Sequence, residues 1–171
     1  MSRSEEKIAV VGGGPCGSSL ALILAKHGYN VDLFEKREDA SLKPYMEAGR
    51  SFNLSVSVRA LRGWERAGVK DDIVKSMVAM RRRCVHMPDE STHYYPYGKV
   101  EDKVMSIRRR YIQEVLAKKI KTVGNITTYF NANVHNVNLK ETTFDFATPE
   151  GHIETKKYDQ VFGTDGAYSS I

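Results

Sequence analysis

An α/β fold built on a parallel sheet, with an antiparallel β insertion, is predicted by three features of this sequence. Ile8-Ala9-Val10-Val11 is an apolar run of strand length that enters Gly12-Gly13-Gly14, and residues 18–27 follow as an apolar stretch of helical length. Asn30-Val31-Asp32-Leu33-Phe34 reads as a second strand closed by Glu35. Residues 158–164 form a last apolar strand that runs into Asp165-Gly166-Ala167. A strand, a helix and a neighbouring strand in that order make a βαβ unit with parallel pairing, and shorter alternating segments between such strands favour antiparallel pairing.

The glycine-rich turn is the most specific of these features. Gly12, Gly14 and Gly17 fill the G-x-G-x-x-G pattern, and Glu35 closes the second strand where the dinucleotide fingerprint places its acid. Gly12 allows the tight turn, Gly14 lets backbone approach a pyrophosphate, and Gly17 lets the helix pack closely on the sheet. The unpaired N–H groups and the positive end of the helix then face the phosphates. Pro15 suits the first helical position, where its missing N–H costs little, and Gly28 is a natural stop. Glu35 can accept hydrogen bonds from ribose hydroxyls and disfavours a 2′-phosphate. An ordinary glycine turn in an α/β domain is the plainer alternative.

The rest of the chain alternates in type. Residues 36–50 are polar and irregular, as in a loop. Residues 57–67 read as a helix ended by Gly68, and residues 71–77 as a shorter one capped by Asp71. Residues 83–86 and 92–95 read as strands joined through Pro88-Asp89-Glu90, and residues 104–107 as another strand. An amphipathic helix over residues 111–123 precedes Gly124-Asn125. Residues 127–130, 134–139 and 143–146 are β-like, with Pro149-Glu150-Gly151 as a turn. The carboxyl end of the last strand is expected beside the first glycine turn, where open α/β sheets bind ligands.

Composition narrows the classes of function. A chain of 171 residues suits one domain with a real core, and 41% apolar with 27% charged residues fits a water-soluble globular protein. The net charge of +5 is interleaved with acids, so no nucleic-acid partner is expected. Cys16 and Cys84 make no disulfide framework, which fits a reducing, cytoplasmic setting. Residues 1–7 are polar and lack the apolar core of a signal peptide, and no run approaches the ~20 apolar residues of a membrane span. The five histidines, His27, His86, His93, His135 and His152, have no metal-ligand spacing, so no metal is expected.

Further motifs follow the fingerprint in a fixed order. They are Arg50-Ser51-Phe52-Asn53-Leu54, Met80-Arg81-Arg82-Arg83, Pro96-Tyr97-Gly98, Ser106-Ile107-Arg108-Arg109 and Gly163-Thr164-Asp165-Gly166-Ala167-Tyr168-Ser169. On these motifs essentially the whole chain resembles the N-terminal part of the kynurenine 3-monooxygenase family, among the class A flavin-dependent aromatic hydroxylases. The resemblance implies a Rossmann-like FAD-binding domain over residues 1–171, with FAD as cofactor, NADPH as co-substrate and dioxygen as oxidant. The implied reaction converts L-kynurenine, an aromatic amino acid, to 3-hydroxykynurenine. The flavin carries that chemistry, so no catalytic side chain is implied.

The resemblance also implies site residues. Gly12, Gly14, Cys16 and Gly17 fall at the pyrophosphate turn, and Glu35, Lys36 and Arg37 at the adenosine ribose. Ser55 falls beside the flavin, Arg109 on FAD, Val134 at an adenine-side backbone contact, and Asp165 and Ser170 in the later flavin segment. Arg83 and Tyr97 match the pair that holds the substrate α-carboxylate, for which a planar guanidinium fork and a phenol are apt donors. Pro15 and Cys16 depart from the family, replacing more usual apolar residues. The family's C-terminal flavin segment, substrate domain and membrane-associated helix match nothing up to Ile171. This chain is therefore expected to be an incomplete FAD-binding domain, inactive alone, and a full-length eukaryotic form is expected on the outer mitochondrial membrane.

Without the resemblance several readings stay open. Arg81-Arg82-Arg83 and Arg108-Arg109-Arg110 also fit solvated faces, Tyr97 fits a core or turn aromatic, and Asp165 fits a turn cap. A catalytically silent FAD- or NAD-binding module, a short isoform, or a hydroxylase of another aromatic acid are the alternatives. An NAD-dependent dehydrogenase accounts only for the first motif.

Overall fold

The computed structural model describes residues 3–39, 52–97, 104–148, 150–169 and 171. Strand β1 (Lys7–Val11), helix α1 (Pro15–Lys26) and strand β2 (Asn30–Glu35) form the opening βαβ unit. The chain then passes through β3 (Asn53–Val56), α2 (Val58–Ala67), α3 (Lys70–Val74), β4 (Val78–Met80), β5 (Arg82–His86), β6 (Thr92–Pro96), β7 (Val104–Arg108) and α4 (Arg109–Ile120). After α4 come β8 (Ile126–Phe130), β9 (Val134–Asn138), β10 (Thr143–Ala147), β11 (Ile153–Lys157) and β12 (Gln160–Gly163). The parallel sheet has the order β12-β1-β2-β8, with Ala9 opposite Asp32 on one side and Val161 on the other.

Side-chain alternation along β1 and β2 divides the core into two layers. Ile8, Val10, Val31 and Leu33 point to the helices, packing with Ala21 and Leu22 of α1 and Ile112 and Leu116 of α4. Ala9, Val11 and Phe34 point the other way, onto Val134, Phe144 and Phe146 of the antiparallel sheet β11-β10-β9 and onto Tyr158, which follows β11. Burial on both faces is why residues 8–11 read as an unbroken apolar run. Phe34 stacks on Tyr129 with centroids 4.6 Å apart and meets the edges of Phe144 and Phe146 at 5.0 Å. Each such pair adds about 0.5–1.5 kcal/mol beyond its buried area.

The remaining strands form two smaller antiparallel groups, β3-β7-β4 and the ribbon β5-β6. The expected α/β fold with a parallel sheet and inserted antiparallel strands is therefore present, and the second face of the sheet is covered by strands instead of helices.

Several local expectations are corrected. The helix expected over residues 71–77 is α3, which starts at Lys70 and ends at Val74; Val69 occupies the cap and Asp71 sits in the first turn. Strands β4 and β11 have no clear alternation in sequence, and they exist because β7 and β10 supply the pairing; β3 does alternate, Asn53-Leu54-Ser55-Val56, and pairs with β7. Tyr158 does not belong to the last strand, which starts at Gln160. It is buried, stacks on Phe144 at 5.4 Å, and donates its hydroxyl to Asp32 Oδ2 at 2.7 Å. Burial first, then that bond, hold its hydroxyl pKa well above the ordinary tyrosine value. Most of the segment read as a loop over residues 36–50, together with Arg50, Ser51, Gly98 and Pro149, lies outside the described residues.

Candidate functional site

The glycine turn is held by both neighbouring strands. The Gly12 N–H donates to Phe34 O at 2.7 Å, and Gly12 has φ +106°, a conformation that L side chains rarely adopt. A Cβ at Gly12 would lie 2.6 Å from the Thr164 carbonyl carbon, and one at Gly17 only 2.0 Å from Gly12 O. Gly14 differs from these, because a Cβ there would meet nothing within 4 Å. It faces open space at the start of α1, where Pro15 takes the first helical position as expected. Gly28 follows α1 at φ +91°.

That open space is a cleft of about 500 Å³ at the carboxyl ends of β1 and β12. Gly12, Gly14, Cys16, Glu35, Lys36, Arg37, Arg109, Val134 and Asp165 all line it. Gly17 lies beneath the turn and is buried. Arg109 opens α4, with its N–H on Phe52 O at 3.2 Å and its guanidinium 5.7 Å from the Phe52 ring centre. Asp165 Oδ1 accepts the Ser169 hydroxyl at 2.8 Å, so this acid also caps its own turn, which Gly166 completes at φ +94°.

The acid at the end of β2 is fixed by backbone donors. Glu35 Oε2 accepts the Gly13 N–H at 2.8 Å and Oε1 accepts the Arg37 N–H at 2.9 Å. Gly13 was missing from the candidate residues read in the sequence. A Cβ there would approach the Glu35 Cβ to 2.9 Å, so the middle glycine of the triplet makes room for the acid. The run of three glycines was the available signal. Ala132 N–H donates to Glu35 O at 3.0 Å and Asn131 N–H to Arg37 O at 3.1 Å, which brings the 132–134 segment to the same cleft.

Three sequence-derived candidates lie elsewhere. Ser55 is exposed on β3, opposite Ser106 of β7, and is not among the residues lining the cleft. Arg83 and Tyr97 are on the β5-β6 ribbon, also away from the cleft lining. Arg83 pairs with Tyr95, and the Tyr97 N–H donates to Arg81 O at 3.2 Å. Alternation therefore puts Arg83 and Tyr97 on one ribbon face as diagonal neighbours, with Arg82 on the other face over Tyr94 at 4.3 Å. Ser170 lies outside the described residues.

The donor set suits the adenosine-diphosphate half of a dinucleotide. Backbone N–H groups and the α1 N-terminus face the space beside Gly14, Lys36, Arg37 and Arg109 supply positive charge, and Glu35 supplies a ribose acceptor. Fold and cleft together define a dinucleotide-binding α/β unit. More narrowly, the chain belongs to the FAD binding domain family, whose sequence profile matches residues 5–171.

Named relatives agree with that family. Kynurenine 3-monooxygenase of Salinispora tropica is 34% identical over 173 residues, spanning 100% of this chain and 38% of the relative. The protein of the same name from Anopheles gambiae is 32% identical over 166 residues, 96% of this chain and 34% of the relative. The chain thus spans a little over a third of the length of the relatives it matches. Among solved structures, 2-methyl-3-hydroxypyridine-5-carboxylic acid oxygenase superposes with a TM-score of 0.75 at 20% identity, covering 97% of this chain and 41% of that one. The p-nitrophenol 4-monooxygenase of Pseudomonas putida gives 0.71 at 18%, covering 91% and 39%. At these identities the likeness establishes the fold alone. Among the described residues no helix is long and apolar enough to cross a membrane.

Proposed function

We propose that this chain forms the cofactor cradle of an FAD-dependent aromatic monooxygenase that hydroxylates L-kynurenine to 3-hydroxykynurenine with NADPH and dioxygen. The observation that carries this reading is the convergence of Gly14, Glu35, Arg109, Val134 and Asp165 on one cleft at the β1/β12 crevice. The relatives that match 96–100% of this chain and bear the name kynurenine 3-monooxygenase support the reaction and the substrate.

In this reading the turn from Gly12 to Cys16 and the α1 N-terminus hold the pyrophosphate of FAD, with Arg109 neutralising its charge. Glu35, already fixed by Gly13 and Arg37, keeps lone pairs for the ribose hydroxyls, while Lys36, Arg37 and the Val134 backbone flank the adenosine. Asp165 and Ser170 contribute the later flavin segment, and Ser55 a contact beside the flavin. Bound FAD supplies the oxygen-activating chemistry once NADPH has reduced it. Arg83 and Tyr97 grip the α-carboxylate of the substrate from one face of their ribbon, which orients the aromatic ring without any acid–base step of their own. The chain alone is proposed to hold the cofactor without turnover and to work in the cytoplasm, with a full-length eukaryotic form at the outer mitochondrial membrane.

The test uses a protein of the relatives' length, loaded with FAD. L-Kynurenine should stimulate NADPH oxidation and yield 3-hydroxykynurenine. No stimulation overturns the substrate assignment, and stimulation by a different aromatic acid reassigns the enzyme within the class.

A further inference from the structure

We propose that Thr164 is a positioning residue: its hydroxyl clamps the Gly12 peptide and so sets the shape of the phosphate turn. The proposal deepens the cofactor reading and rests on FAD occupying the cleft. Thr164 lies at the end of β12 and lines that cleft, yet no sequence motif gave its side chain a role.

Its Oγ1 is 2.9 Å from Val11 O and 2.9 Å from Gly12 O. Val11 O already accepts the Thr164 N–H at 2.8 Å, so the hydroxyl proton is of more use to Gly12 O. Gly12 O faces the first turn of α1, since a Cβ on Gly17 would come within 2.0 Å of it and within 2.3 Å of the Thr164 hydroxyl. Gly12 and Thr164 are half-buried, and a carbonyl that loses its donor in such a place keeps part of its desolvation cost. Both backbone groups of Gly12 are thereby held, its N–H by Phe34 O of β2 and its C=O by Thr164 beyond β12, while Glu35 holds the Gly13 N–H at the other end of the Gly12–Gly13 peptide. The same contact locks the pyrophosphate side of the cleft, Gly12 to Cys16, to the later segment from Asp165 to Tyr168.

Without the hydroxyl, the Gly12–Gly13 peptide is held only through the Gly13 N–H on Glu35, its carbonyl can tilt towards another donor, and FAD binding must then restore the turn. Thr164→Val keeps shape and removes the donor, whereas Thr164→Ser keeps the donor and removes a methyl group. FAD titrations of the 171-residue chain, followed by quenching of flavin fluorescence, should give about three- to tenfold weaker binding for T164V, the range of one net hydrogen bond. T164S should stay within about twofold of wild type even where its thermal midpoint falls, which separates the hydroxyl from packing. Amide hydrogen exchange at Gly12 and Gly13 in the cofactor-free chain should quicken in T164V and return towards wild type in T164S. Equal FAD affinity and equal exchange in T164V and wild type overturn the clamp, as does a T164S variant as impaired as T164V. If wild type takes up no FAD while exchange follows the hydroxyl, the clamp is supported and the cofactor reading fails.

Discussion

Replacing Gly17 by alanine should destabilise this chain, against the usual direction of that change. Inside a helix, glycine to alanine ordinarily stabilises by about 0.5–1 kcal/mol through the entropy of the unfolded chain. At Gly17 the new Cβ would lie 2.0 Å from Gly12 O and 2.3 Å from Thr164 Oγ1. Ordinary contacts of carbon begin at roughly 3.5 Å, so α1 must retreat from the turn by roughly 1.5 Å. An overlap this deep falls in the upper half of the range of about 1–3 kcal/mol that overpacking costs, and a propensity gain of about 1 kcal/mol offsets only part of it, leaving a net loss of about 1–2 kcal/mol. For a domain of this size that lowers the thermal midpoint by about 2–8 °C. Gly63 is the internal control, because it lies within α2 and a Cβ there would meet nothing within 4 Å. Gly63→Ala should therefore raise the midpoint by about 1–4 °C. Both variants can be followed by far-ultraviolet circular dichroism and by the fluorescence of Trp64, the single tryptophan. A G17A midpoint equal to or above wild type would refute the close approach of α1 to the turn.

The other predictions concern the cleft, the aromatic layer and the ribbon. Glu35→Ala leaves the Gly13 and Arg37 N–H groups without their carboxylate, and FAD affinity should fall by about tenfold or more; an unchanged Kd by fluorescence titration counts against Glu35 as the ribose acceptor. Tyr158→Phe removes the donor to Asp32 and should cost about 1–3 kcal/mol in urea unfolding at neutral pH. Because the folded pKa of Tyr158 is raised, its contribution is fully present below the ordinary tyrosine value near 10 and is lost as pH rises beyond it. The wild-type advantage over Y158F should therefore shrink as pH climbs above about 10, and a constant or growing gap would contradict this. In a protein of the relatives' length, Arg83→Ala should raise KM for L-kynurenine about tenfold or more while leaving FAD affinity within about twofold; an unchanged KM removes Arg83 from the substrate site.

Local physics explains which parts of this molecule could be read in advance. The first βαβ unit was legible because each signal in it is short-range: a doubly buried strand, a glycine turn, and a helix with proline at its start. Glu35 was legible as well, since spacing along the chain puts it at the end of β2. Strands β4 and β11 were not, because their pairing partners supply what their own sequences lack; β3 did carry a signal, the alternation of Asn53-Leu54-Ser55-Val56. Tyr158 looked like part of an apolar strand, and only the packing of two sheets shows it as a plug bonded to Asp32. Gly13 and Thr164 escaped for the same reason. What makes them matter is a contact with Glu35 or Gly12, far away in sequence and visible only once the strands are side by side. The placement of Arg83 and Tyr97 on a common face follows from the β5-β6 register, which the sequence alone left open.

The central claim is that the cleft at the carboxyl ends of β1 and β12 cradles the adenosine-diphosphate half of FAD. Titration of the 171-residue chain with FAD, with ADP as competitor, tests it most directly. The account predicts saturable binding of one FAD per chain that ADP displaces. Failure to bind FAD, or binding that ADP leaves untouched, would contradict it.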